Sequence, residues 1–192
     1  MKLNKIVIAM GTAVAMCAGT VYAADSTPST STTTVTGGTI HFTGELVDAP
    51  CAVSTDSDGQ IVKLGEYTVH HITNEKKGSE VPFTIKLEDC DTSTASTAAV
   101  AFQGTQDENS ATLLAVDSGT DDSNEATASG VGIKITDSAS KVVPVDASAF
   151  STPVNLIDGE NVLNFKAQYI ADGASVAAGK ANADATFIMQ YQ

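Results

Sequence analysis

Residues 39–47 read TIHFTGELV, and the fold turns on them. Ile40, Phe42, Gly44 and Leu46 fall on one side of an extended chain, and His41, Thr43, Glu45 and Val47 fall on the other. Side chains two apart share a face of a strand, so this alternation predicts a β-strand with one largely apolar face. Upstream lies ADSTPSTSTTTVTGG, residues 24–38, a Ser/Thr-rich stretch with one Pro and a closing Gly37-Gly38. Such a composition buries too little apolar surface to fold alone and predicts a flexible lead.

Further upstream, Lys2 and Lys5 precede an apolar run from Ile6 to Ala18, and Val21-Tyr22-Ala23 offers small side chains for cleavage. This is the pattern of a secretory signal peptide, residues 1–23. The run is too short to span a bilayer as a helix, which needs about 20 apolar residues, and no second such run follows. A lipoprotein signal at Cys17 is disfavoured because Met16 stands where a small residue is required. The remaining chain has the size of one domain.

Export sets the redox compartment. Cys51 and Cys90 both survive maturation, and an oxidising environment predicts their pairing as a disulfide. Free buried thiols and a zinc site are the alternatives; the latter lacks a CxxC pair and a His cluster.

The formal charge is −13 with no Arg in the chain, and loss of Lys2 and Lys5 makes the mature protein more acidic still. Nucleic-acid binding relies on a basic stripe and phosphate recognition favours the Arg fork, so neither partner is expected.

Downstream of Cys51, strand signals recur at Ile61–Tyr67, at Val81, Phe83, Ile85 and Leu87, and at Ala99–Phe102. Others follow at Val131, Ile133 and Ile135, at Lys141–Val145, and at Leu163, Phe165, Ala167 and Tyr169. The last is ATFIMQYQ, in which Ala185, Phe187, Met189 and Tyr191 share a face. Polar turns such as 117–130 and 172–179 separate them, with little helical periodicity. Many short strands predict an antiparallel sandwich. Pro82 belongs at a strand start or edge, where its missing N–H costs little.

Motifs for catalysis and cofactors are lacking: no HExxH, GxSxG, phosphate loop or dinucleotide fingerprint occurs. Asp56-Ser57-Asp58-Gly59 superficially matches a calcium loop, but with Gly59 at position six the first and twelfth positions are Ser54 and Gly65, where acidic ligands are needed. His70-His71, adjacent on an expected strand, point to opposite faces. The chain is therefore expected to be no enzyme and to need no cofactor, metal or small-molecule substrate.

The order of these features is more specific than any one of them. A signal peptide, a Thr-rich lead with Gly37-Gly38, TIHFTGELVDAPCAV, a second Cys in LEDCDT and a terminal ANADATFIMQYQ together resemble a type 1 fimbrial major subunit of the chaperone-usher pilin family. In that family a Gly fourteenth from the end and a penultimate Tyr recur; here they are Gly179 and Tyr191. The resemblance implies an all-β, incomplete immunoglobulin-like sandwich lacking its final strand, spanning residues 48–192. It implies an acceptor groove walled by the strand of Phe187, Met189 and Tyr191, and a donor strand, residues 39–47, whose Ile40, Phe42, Gly44 and Leu46 fill the groove of a neighbouring copy. Copies of itself or related pilins, a periplasmic chaperone and an outer-membrane usher are the implied partners, and a fimbrium on the bacterial surface is the implied location. A minor or adaptor subunit would share these features, whereas a secreted self-complete sandwich binding sugar or protein would stay monomeric. The lead is longer and richer in Ser and Thr than the resemblance implies, which leaves the start of the donor strand between Val35 and Thr39.

Overall fold

A computed structural model of the chain describes residues 32–117 and 126–192. The signal peptide read at 1–23, the first part of the lead and the centre of the 117–130 turn lie outside the described residues. The chain divides into two units, Met1–Gly44 and Glu45–Gln192.

The second unit is a β-sandwich. Its elements are β1 (Ala52–Val53), α1 (Val69–Glu75), β2 (Val81–Cys90), β3 (Thr97–Gly104), β4 (Leu114–Ala115), β5 (Val131–Asp137), β6 (Val154–Asn155), β7 (Gly159–Ala171) and β8 (Ala185–Tyr191). One sheet has the order β1-β2-β7-β5-β4 and the other β6-β3-β8, with every pairing antiparallel. Alternation builds the long strands. On β7, Leu163, Phe165 and Ala167 are buried while Val162 and Asn164 are exposed, and β2 contributes Ile85 and Leu87 to the same core. Phe83, Phe102 and Phe165 meet across the two sheets, with Phe102 edge-on to Phe165 at a centroid distance of 5.3 Å. Such pairs add about 0.5–1.5 kcal/mol beyond the area they bury.

Cys51 and Cys90 are bonded, tying the residue before β1 to the end of β2. Closing a loop of this length stabilises by roughly 4 kcal/mol in the chain-entropy account.

Residues 39–47 join no ladder within the chain: Ile40, Phe42 and Leu46 are 77%, 90% and 101% exposed, and a Cβ at Gly44 would meet nothing. An extended segment unpaired in its own chain gains no ladder hydrogen bonds to offset its ordering entropy. Two expectations of strand structure are corrected. Ile61–Tyr67 likewise joins no ladder, although Val62 and Leu64 are half-buried in alternation with exposed neighbours. His70 and His71 lie on a helix rather than a strand. Thr68 caps α1 by accepting from the His71 N–H at 3.1 Å, and Ile72 is the residue it buries.

Pro82 sits where the sequence puts it. Ser54 N–H donates to the Lys86 carbonyl, so even-numbered residues of β2 turn their backbone groups toward β1 and odd-numbered ones toward β7. The position without an N–H therefore faces the edge and leaves the β2-β7 ladder whole.

Candidate functional site: an open edge beside an open core

The register of β8 defines the site. Gln192 and Thr97 exchange both backbone hydrogen bonds, at 3.1 and 2.9 Å. In an antiparallel ladder such pairs recur every second residue, so Gln190 and Ile188 turn their backbone groups to β3, while Phe187, Met189 and Tyr191 turn theirs away. Among the described residues no strand pairs with that outer edge. The side chains of the same three residues point into the sandwich and pack against its core.

Facing this edge is the unpaired segment 57–69, and between the two walls the core is open. A cavity of about 510 Å³ has Ile61, Val62 and Leu64 on one wall, Ala183 and Phe187 on the other, and Phe83, Phe102 and Ile133 among its floor residues. A second cavity, of about 780 Å³, continues along both walls: Tyr67 and Val69 on one, Val176 to Asn182 on the other, with Tyr169 and Val131 beneath. Two walls that share no ladder with each other, over a floor of core side chains, leave a slot between them.

The far wall is held by backbone packing. Gly179 lies so close to Ala126, Thr127 and Ala128 that a Cβ would overlap their backbone atoms, which gives this glycine a steric reason. Tyr169 donates from its hydroxyl to the Ala181 carbonyl at 2.6 Å, and burial pushes its pKa up. On the near wall the Tyr67 hydroxyl accepts from Ser79 N–H at 2.9 Å, its ring lies against Gly78 and His71, and it meets Tyr169 edge-on.

Of the residues singled out in the sequence, the structure brings together Cys51 with Cys90, and Phe187, Met189 and Tyr191 with the core. Phe187 lines the first cavity and Gly179 the second, while Ile40, Phe42, Gly44 and Leu46 lie in no strand. Sequence reasoning did not find the Tyr67-Tyr169 pair or the 57–69 wall as a wall. The half-buried Val62 and Leu64 were the available signal for the latter.

The fimbrial protein family profile matches residues 40–192. The chain belongs to this family. It is 50% identical over 159 residues to the fimbrial-like protein SfmA of Escherichia coli K12, covering 82% of the chain and 87% of that relative. It is 47% identical over 171 residues to the fimbrial subunit type 1 of Salmonella typhimurium, covering 88% and 89%. Among solved structures, a subunit from a chaperone-usher pilus rod superposes with a TM-score of 0.69 at 27% identity, covering 84% of this chain and 99% of that one. The pilin is thus a structural pilus subunit with an incomplete immunoglobulin-like sandwich.

Proposed function

We propose that the pilin polymerises by donor-strand complementation: residues 39–47 of one copy enter the slot of the next. The observation that carries this reading is the free edge of β8, where Phe187, Met189 and Tyr191 offer backbone groups to an incoming strand and the core beside them is uncovered. Strand addition draws affinity from main-chain hydrogen bonds and register from alternating side chains. Ile40, Phe42 and Leu46 would each contribute about 1.5–3 kcal/mol by burial, less the cost of ordering the segment. Gly44, in the same series, fits a point where the two backbones come closest.

Before assembly the slot needs a substitute strand. A periplasmic chaperone supplies it and an outer-membrane usher exchanges it for the donor segment, which places the export route through the periplasm and the product on the cell surface. The role is structural, without catalysis.

Deleting residues 24–45 while retaining the signal tests the reading. The expected product is a subunit still captured by the chaperone that cannot fill the slot of a neighbour. Normal fibres from this variant would overturn it.

A further inference from the structure

The chain contains three Asp-Gly pairs, Asp58-Gly59, Asp158-Gly159 and Asp172-Gly173, and their surroundings differ. An Asp-Gly bond rearranges when the glycine amide nitrogen attacks the aspartate side-chain carbonyl carbon, and the absence of a Cβ on glycine leaves that approach unobstructed. The step demands a carboxyl group free to turn and an amide free to leave its place.

Two of the pairs are held. Asp158 Oδ1 accepts from both the N–H and the hydroxyl of Thr92, at 2.9 and 2.5 Å, and Gly159 is paired with Cys90 in the β2-β7 ladder. Asp172 uses both oxygens: Oδ1 accepts from Ala174 N–H at 2.8 Å and Oδ2 from the Asn109 amide at 2.9 Å. Charge-assisted bonds of this kind are the strong ones, and breaking them opposes rotation of the carboxylate.

Asp58-Gly59 has none of these restraints. Its turn is anchored one residue earlier, where Ser57 Oγ accepts from Lys86 N–H at 2.8 Å, and two residues earlier, where Asp56 pairs with Lys86. Among the described residues the Asp58 carboxylate has no hydrogen-bond partner and the Gly59 N–H donates to no carbonyl or side chain; both residues are exposed, and the space beside Gly59 is open.

We infer that Asp58 is a site of spontaneous isoaspartate formation in the exported chain, and that Asp158 and Asp172 are protected. The Gly59 nitrogen bonds to Cγ of Asp58, its proton and the carboxyl hydroxyl leave as one water, and a succinimide ring results. Water then adds at the α-carbonyl carbon and the ring opens there, so the main chain runs through Cγ with no net change in mass. The backbone becomes one carbon longer immediately before Gln60–Leu64, the near wall of the slot. That this would disturb assembly rests on the function proposed above; the chemistry itself does not.

The exported chain, incubated for weeks at physiological temperature and neutral pH, is labelled by methyl transfer to isoaspartate and mapped by peptide fragmentation that separates the two isomers. Label is expected on the peptide containing Asp58, with loss of that label in Asp58→Ala. Thr92→Val, which removes the hydroxyl bond to Asp158, is expected to raise label at Asp158-Gly159. Absence of label at Asp58, equal or greater label at Asp158 or Asp172 in the unaltered chain, or no rise in Thr92→Val would each overturn the assignment. Mapping of the unaltered chain decides the matter even where a variant folds poorly.

Discussion

β3 and β8 are neighbours in one sheet, of similar length and composition, yet only one of them is finished. β3 has β8 on one side; on the other, Val100 exchanges bonds with Ser151, Phe102 accepts from Ala147 N–H, and Gly104 donates to Val145. Both faces of Ala98–Phe102 are buried. β8 has β3 on one side and nothing among the described residues on the other, and none of its residues is fully buried. The difference lies in what crosses over: the 139–152 connection covers β3, and among the described residues no segment does the same for β8. A strand's completeness is thus decided by the segments around it, and an unfinished strand is an address for another chain.

The sharpest way to break this comparison is a pair of prolines one residue apart. Met189→Pro removes an N–H from the free edge, so the β3-β8 ladder survives while binding of a peptide spanning residues 37–47, and fibre formation, are lost. Ile188→Pro removes the bond to Ala101 and leaves a buried carbonyl unpaired, which lowers stability by about 1–3 kcal/mol in urea unfolding of the subunit itself. If both substitutions behaved alike, the edge assignment would be wrong.

Asp137 addresses the covered side. Its carboxylate accepts from Ala139, Lys141 and Thr152 N–H at 2.8–2.9 Å and so fixes both ends of the connection over β3. Burial pushes its pKa up, but the hydrogen bonds prevail and hold it below the usual carboxylate range. Asp137→Asn keeps the shape and loses the charge and one acceptor, a cost of about 1.5–3 kcal/mol for a hydrogen bond to a charged group. Because the folded-state pKa is depressed, the stabilisation is full above the unfolded value of about 4 and is lost as pH falls through the folded one. Unfolding midpoints of the two proteins should therefore differ at neutral pH and converge in acid.

The smallest effect is expected from Tyr169→Phe, which deletes the hydroxyl bond to Ala181 on the segment leading into β8. A loss near 1 kcal/mol follows, visible as faster amide exchange in residues 177–183 with β3 unaffected.

How much of this was legible depended on whether a pattern had its partner within the chain. The alternations of Val81–Leu87, Val131–Ile135, Leu163–Tyr169 and Ala185–Tyr191 all became paired strands because each has a facing strand in its own sandwich. TIHFTGELV and Ile61–Tyr67 carry the same signal and remain unpaired. Periodicity reports which side of a segment prefers burial; it does not report whether an edge is present to receive it. Lys141–Val145 gave fully buried Val143 and Val145 but little ladder, since Pro144 lies between them and the run crosses over β3 rather than extending its sheet. α1 was missed because a two-turn helix that buries Ile72 alone has no apolar repeat; Thr68 as a cap was its one local mark. Of the slot, Phe187, Met189, Tyr191 and Gly179 could be named from the resemblance, whereas the meeting of Tyr67 with Tyr169 depends on tertiary packing that no spacing encodes.

Pro82 has a further consequence. The first half of β2 is a further edge, without a ladder partner among the described residues on its outer side, and a strand arriving there would find no N–H at position 82. A molecule with two receptive edges could join neighbours on both sides and grow into branched or sheet-like aggregates. With this edge blunted by a ring, the assembly proposed above would give each copy a single head and a single tail, and growth would be confined to an unbranched thread with a direction.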